Sequence, residues 1–195
     1  MEEWSTYRIR DFLLFSEEIL LEVVDAYNHD LWPWQILWLG LAVLILVLIL
    51  FPNRLRLRLV FGLLAAAWAW VGFVFHLQYF LPINWAARYS AGIFLAESLL
   101  FALSGTFLDK LQPDASGPRR NLGLIIFALS AFVPMEFVFG QNISHIMVFG
   151  WGPDRTALGT IGLLLTFRQG WWTMILMLPA VIWCVLALLM YYGLS

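Results

Sequence analysis

Three stretches of this chain, residues 31–51, 59–79 and 171–193, contain no Asp, Glu, Lys or Arg. Each holds about 20 residues, enough helix to cross the roughly 30 Å hydrocarbon core of a bilayer. Lipid offers backbone groups no partners, so segments of this kind are expected to be helical. Composition agrees: 62% of residues are hydrophobic and 12% charged, against about 25% charged in soluble domains. Mean hydropathy is +0.82. A soluble core of 195 residues could not hide this much apolar surface. The expected class is all-α, a polytopic transmembrane helix bundle of about six spans plus an N-terminal amphipathic helix.

Residues 11–27 place Phe12, Phe15, Ile19, Leu20, Val23, Val24 and Tyr27 at helical spacing, with Asp11 as the expected N-cap. The polar residues are Glu17, Glu18, Glu22 and Asp25. Helices that grip anionic lipid are usually basic. This one is acidic and reads as lying on the non-cytoplasmic surface, or packed across the bundle as a lid. Residues 1–30 form this interfacial unit and residues 31–195 the six-span bundle. Its spans are expected at 31–51, 59–79, 85–108, 121–139, 153–167 and 171–193. Trp32 and Trp34 mark the first water boundary. Pro52 ends the first span, and Pro153 suits the first turn of the fifth. The fifth is short; a re-entrant hairpin over 140–167 is the alternative.

Orientation follows from Lys and Arg. Loops after the first, third and fifth spans hold Arg54, Arg56, Arg58, Lys110, Arg119, Arg120 and Arg168. The other side holds Arg8, Arg10 and Arg88, with Arg155 near it. This asymmetry puts both termini on the extracytoplasmic side of a multi-pass inner-membrane protein. The acidic first 30 residues do not read as a cleavable signal, and no internal repeat suggests an inverted-repeat transporter. Net charge of −2 argues against a nucleic-acid surface. The single Cys184 excludes an intrachain disulfide and a thiolate cluster. No lysine lies in a span, which excludes a retinal Schiff base.

The polar exception is residues 136–160, which hold Glu136, Gln141, His145, Asp154 and Arg155 among glycines. Such a stretch must lie in water, in the interface, or buried where it lines a cavity. With His76 at the far end of the second span and Glu97 in the middle of the third, these residues outline a ligand or ion pocket: His76, Glu97, Glu136, His145 and Arg155. Arg88, Asp154 and Gln141 are candidates for its rim. His76, His145 and Glu136 are the ligand types of a divalent metal site, though no HxxxH or HExxH spacing occurs; a boundary histidine that simply hydrogen-bonds to backbone or water is the plainer reading. A charged carboxylate in mid-membrane costs roughly 3 kcal/mol or more, so Glu97 reads as a proton or ligand group, or as an interhelical hydrogen bond. Glu97 and Arg88 sit on roughly opposite helix faces and cannot pair. Arg155 beside Gly152-Pro153 could hold an anion at a helix start, or Asp154 could merely complement the dipole there.

At Trp32–Gln35 (WPWQ), at residues 75–87 (FHLQYFLPINWAA) and at residues 152–165 (GPDRTALGTIGLLL) the chain resembles an uncharacterised family of bacterial six-helix membrane proteins, a domain of unknown function. The resemblance covers most of the chain after residue 26. It implies the helix count and a bacterial inner-membrane location, and no activity. The family's proline-threonine turn before the fifth helix is here Asp154-Arg155-Thr156, which departs from the pattern.

Three functions fit these residues. The first is a small-solute or ion transporter or channel with an outward-facing polar pocket. The second is an accessory subunit of a larger membrane complex. The third is a metal- or haem-binding membrane protein or enzyme. Expected partners are the lipid bilayer and either a second copy or a membrane-complex partner, with no nucleic acid.

Overall fold

The computed structural model describes residues 15–106, 111–114, 116–134 and 142–194. Seven α-helices, and no strand, are found among them. Helix α1 is Glu17–Asp30, capped by the Ser16 hydroxyl, which accepts from the Ile19 amide at 3.4 Å. The expected start at residue 11 is therefore corrected: Phe15 and Ser16 are not helical, and a serine oxygen takes the first free amide. Asp11 itself lies outside the described residues. Across Leu31 to Pro33 the chain bends by 86° into α2, Trp34–Leu50.

Helix α3, Arg54–Trp70, starts where Asn53 accepts from the Arg56 amide at 2.9 Å. It runs on as a π-helix, Val71–Phe80, a widened coil that periodicity does not foretell. Helix α4 is Ala87–Ser104, α5 is Pro118–Phe132 and α6 is Pro153–Leu165, the last two opening on proline. Pro is tolerated there because a first-turn amide has no helical partner anyway. Helix α7, Trp171–Leu194, carries Pro179 inside.

Helix α3 packs on α4, α5 on α6, and α7 on both α4 and α6. Small residues set the closest approach. A Cβ on Gly162 would lie 2.6 Å from the Phe127 amide nitrogen, and one on Gly123 would meet the Gly162 carbonyl. Only glycine lets α5 and α6 come this near, the usual device where lipid supplies no hydrophobic drive. Below the turn at 81–86, the bundle interior is aromatic. Trp68 stacks on Phe94 at 4.4 Å and reaches Phe101 at 6.0 Å; Phe101 meets Phe61 at 6.2 Å, and Phe61 meets Phe167 at 5.5 Å.

The connections gather at two ends. The Asp114 amide donates to the Thr166 carbonyl, and the Arg168 amide to the Gln112 carbonyl, both at 2.8 Å. Leu50, Pro52 and Arg54 wall a hollow with Leu111, Gln112 and Arg120 at this same end. The connections after α2, α4 and α6 thus meet; Arg168 lies in the last of them, and Arg54 and Arg120, in the first turns of α3 and α5, line the hollow. The N-terminal turn of α1, the end of the π-helix, residues 145–155 and the last turns of α7 meet at the other end.

Among the described residues two helices are long and apolar enough to cross a membrane, Arg54–Phe80 with 27 residues and Trp171–Tyr192 with 22; the bent pair α1 and α2 makes a third if taken as one span. This is fewer than the six full-length spans expected. Helices α4, α5 and α6 do not meet that standard; α5 and α6 have only 15 and 13 residues.

Gly150, in the turn that leads into α6, has φ +79°, and a Cβ there would enter the Trp38 ring. Gly150→Ala is expected to lower stability by about 2 kcal/mol or more, read as thermal unfolding in detergent. Gly40→Ala, where a Cβ meets nothing within 4 Å, should leave the melting temperature unchanged or raised.

Candidate functional site

Residues 144–152 run from the short turn Ile143–His145 to α6 without a regular ladder. Their polar backbone must find other partners. Asn28, at the end of α1, supplies two of them. Its Nδ2 donates to the carbonyls of Ser144 and Ile146, the second at 3.1 Å. Its Oδ1 accepts from Gln35 Nε2 at 2.6 Å and from Trp151 Nε1 at 2.7 Å. That uses the full capacity of an amide side chain. The neighbouring Tyr27 hydroxyl donates to the Trp151 carbonyl at 3.1 Å and accepts from Trp70 Nε1 at 2.9 Å. Burial pushes this hydroxyl well above the usual tyrosine range, so it stays a donor.

From the other side, Thr156 Oγ1 accepts from the Gly150 amide at 2.9 Å and donates to the Gly152 carbonyl at 2.7 Å. Thr160 donates to the Thr156 carbonyl and accepts from Trp68 Nε1, at 2.7 and 2.9 Å. The turn that opens α6 is thereby tied to α1 and to α3.

Between α1, this turn and α7 lies a cavity of about 320 Å³. Its walls are Leu20, Leu21 and Val24 of α1, Phe75 and Phe80 of the π-helix, Met147, and Trp183, Ala187, Met190 and Tyr191 of α7. The polar lining is Glu17, His145, Asp154 and Arg155. Arg155 is 6% exposed. His145 Nε2 lies 3.2 Å from Asp25 Oδ1, its side chain is 10% exposed, and its Nδ1 has no hydrogen-bond partner among the described residues. Asp154 Oδ1 accepts from Trp183 Nε1 at 2.8 Å, which fixes the indole as the floor.

Of the residues singled out in the sequence, His145, Arg155 and Asp154 therefore share this cavity. His76 and Glu97 do not line it. His76 is fully buried behind the floor, its ring 5.0 Å from Trp183 and 4.8 Å from Phe94. Glu97 is 1% exposed, on the inward face of α4. Arg88 is exposed on the opposite side of that helix and donates to the Trp85 carbonyl at 3.1 Å. Glu136 and Gln141 lie outside the described residues. Among the described residues no three His, Cys, Asp or Glu side chains come together as metal ligands. His145 faces Asp25, whereas His76 faces Ser90.

The profile of a family of unknown function (DUF6064) matches residues 17–194. The chain belongs to this family. Comparison with curated proteins and with solved structures found no match. The family match begins at α1 and so takes in the helix that the resemblance noted in the sequence left out. Asn28, Gln35 and Trp183 were not legible as site residues. Asn28 follows Tyr27, the last apolar residue of the α1 stripe, and a polar residue abutting that stripe was the available signal.

Thr156→Val removes both bonds of its hydroxyl and strands a buried amide at Gly150. The expected loss is about 1–3 kcal/mol, measured as a drop in melting temperature. Thr106→Val, an exposed hydroxyl bonded only to the Leu103 carbonyl, should shift it far less.

Proposed function

We propose that this protein is a six-span inner-membrane carrier whose cavity, open to the extracytoplasmic side, binds a small amphiphilic solute. The carrying observation is the cavity itself. Arg155 and His145 line one hollow together with a wall of leucine, phenylalanine and methionine. A volume of about 320 Å³ is at the lower end of the range for small-molecule sites, which runs from about 300 Å³. The polar groups would fix the head of such a solute and the apolar wall its body.

Orientation follows from the two ends. The end that gathers the connections after α2, α4 and α6 carries Arg54, Arg56, Arg58, Arg119, Arg120 and Arg168. The positive-inside tendency makes it cytoplasmic. The cavity, α1 and the end of α7 then face outward. Six crossings fit this alternation of ends, with the short α6 preceded by residues 144–152, which protein side chains hold. The aromatic column from Trp68 to Phe167 fills the bundle between the cavity floor and the basic end. A carrier caught in its outward-facing state is supported by that packing over a standing pore.

Two measurements test this. A thermal-shift panel of small organic acids, amines and zwitterionic amphiphiles should raise the melting temperature with one class, and Ala187→Trp, which fills the cavity, should abolish the shift. A panel with no response sinks the reading. In intact cells, a membrane-impermeant maleimide should label Leu21→Cys but not Arg54→Cys in a Cys184→Ser background. The reverse pattern overturns the orientation.

A further inference from the structure

The hollow at the basic end is walled by distant parts of the chain. The end of α2 gives Leu50, the start of α3 gives Asn53, Arg54 and Leu57, residues 111–114 close one side, and Arg120 comes from the first turn of α5. Its volume is about 530 Å³, inside the span of about 300–1,000 Å³ usual for small-molecule sites.

The charge within it is unbalanced. Arg54 and Arg120 line the hollow, and the carboxylate among its lining residues, Asp114, is taken by Arg119 at 3.0 Å. The Arg120 side chain has no hydrogen bond or ion pair among the described residues. Neither arginine serves the dipole of its own helix. A cation in a first turn opposes that dipole, and neither α3 nor α5 has an acidic residue there to offset it. A guanidinium does present the forked pair of donors that phosphate oxygens accept.

What leads away from the hollow is apolar. On α2, Val43, Val47 and Leu50 recur at helical spacing and are exposed; on α5, Leu122, Ile125 and Leu129 do the same. Leu50 is itself part of the hollow's wall, and Leu122 lies two residues beyond Arg120, so each stripe starts at the hollow. The two helices pack against each other. From Leu122 to Leu129 the α5 stripe covers about 10 Å of helix, long enough for acyl carbons to follow. A water-soluble phosphate matches the arginines alone, whereas a phospholipid matches the arginines and the stripes together.

We propose that this hollow seats the phosphate of an anionic diacyl phospholipid, with Arg54 and Arg120 on its oxygens and its chains along the two stripes. Basic pockets between spanning helices hold lipid headgroups by this chemistry. The site lies at the opposite end of the bundle from the cavity, and its occupancy depends neither on the carrier reading nor on the direction the cavity faces.

The test follows the melting temperature of the full chain, purified in a neutral detergent, as lipid is added. Phosphatidylglycerol should raise it saturably. Phosphatidylcholine, whose headgroup has no net charge, and glycerol phosphate, which has no chains, should not. Arg120→Gln should weaken the apparent affinity about fivefold, and the double variant Arg54→Gln, Arg120→Gln at least about twentyfold. Arg88→Gln, at the start of α4, should bind as the wild type does. If the double variant does not fold, Arg120→Gln decides, since its side chain gives up no bond. Wild-type affinity in the arginine variants overturns the proposal, as do equal shifts from phosphatidylcholine or no shift from any lipid. An equal shift from glycerol phosphate overturns the lipid and leaves a site for soluble phosphate.

Discussion

A strand of irregular backbone inside an apolar bundle must have every amide and carbonyl answered by protein, because lipid answers none. In this molecule the irregular backbone is residues 144–152, and Asn28 answers two of its carbonyls, those of Ser144 and Ile146. One side chain takes two carbonyls and accepts from two donors, Gln35 and Trp151. Tyr27 and Thr156 finish the task at Trp151, Gly150 and Gly152. The helix α1 is thus more than an amphipathic strip on the surface. It is the partner that holds residues 144–152 in place ahead of α6, and its apolar face becomes a cavity wall as a consequence.

The cavity's chemistry follows from the same arrangement. Pinning residues 144–152 brings His145 against Asp25 of α1 and aims the start of α6 into the gap, so that Arg155 is buried where a full-length span would have placed leucine. The glycines of α6 make this affordable in space: Gly159 clears Phe149 and Ser130, and Gly162 clears α5. Beneath, rings rather than polar groups fill the bundle.

Much of this was legible in the chain. The positions of α2, of α3 with its π-helical extension and of α7 follow from uncharged runs, and the start of α6 from Pro153, since charge and proline are the two things a spanning helix least tolerates. The convergence of His145, Asp154 and Arg155 follows from their nearness in sequence. What was not legible depends on contacts between distant residues. Periodicity cannot show that the coil after Trp70 widens into a π-helix, nor that this turns His76 behind Trp183 rather than into the cavity. Asn28 looked like a helix end because its four partners come from as far away as Trp151. The full length of six spans was over-read, because hydropathy extends through residues that the backbone uses for turns.

The most direct test is backbone hydrogen exchange of residues 144–152 in Asn28→Leu, in lipid nanodiscs. If α1 pins this segment through that one amide, exchange there should quicken by about tenfold or more, equivalent to about 1.4 kcal/mol, while the amides of α3 and α4 keep their wild-type rates. Unchanged exchange across residues 144–152 would mean that the segment holds its shape without α1, and the account of the cavity as the product of that clamp would be wrong.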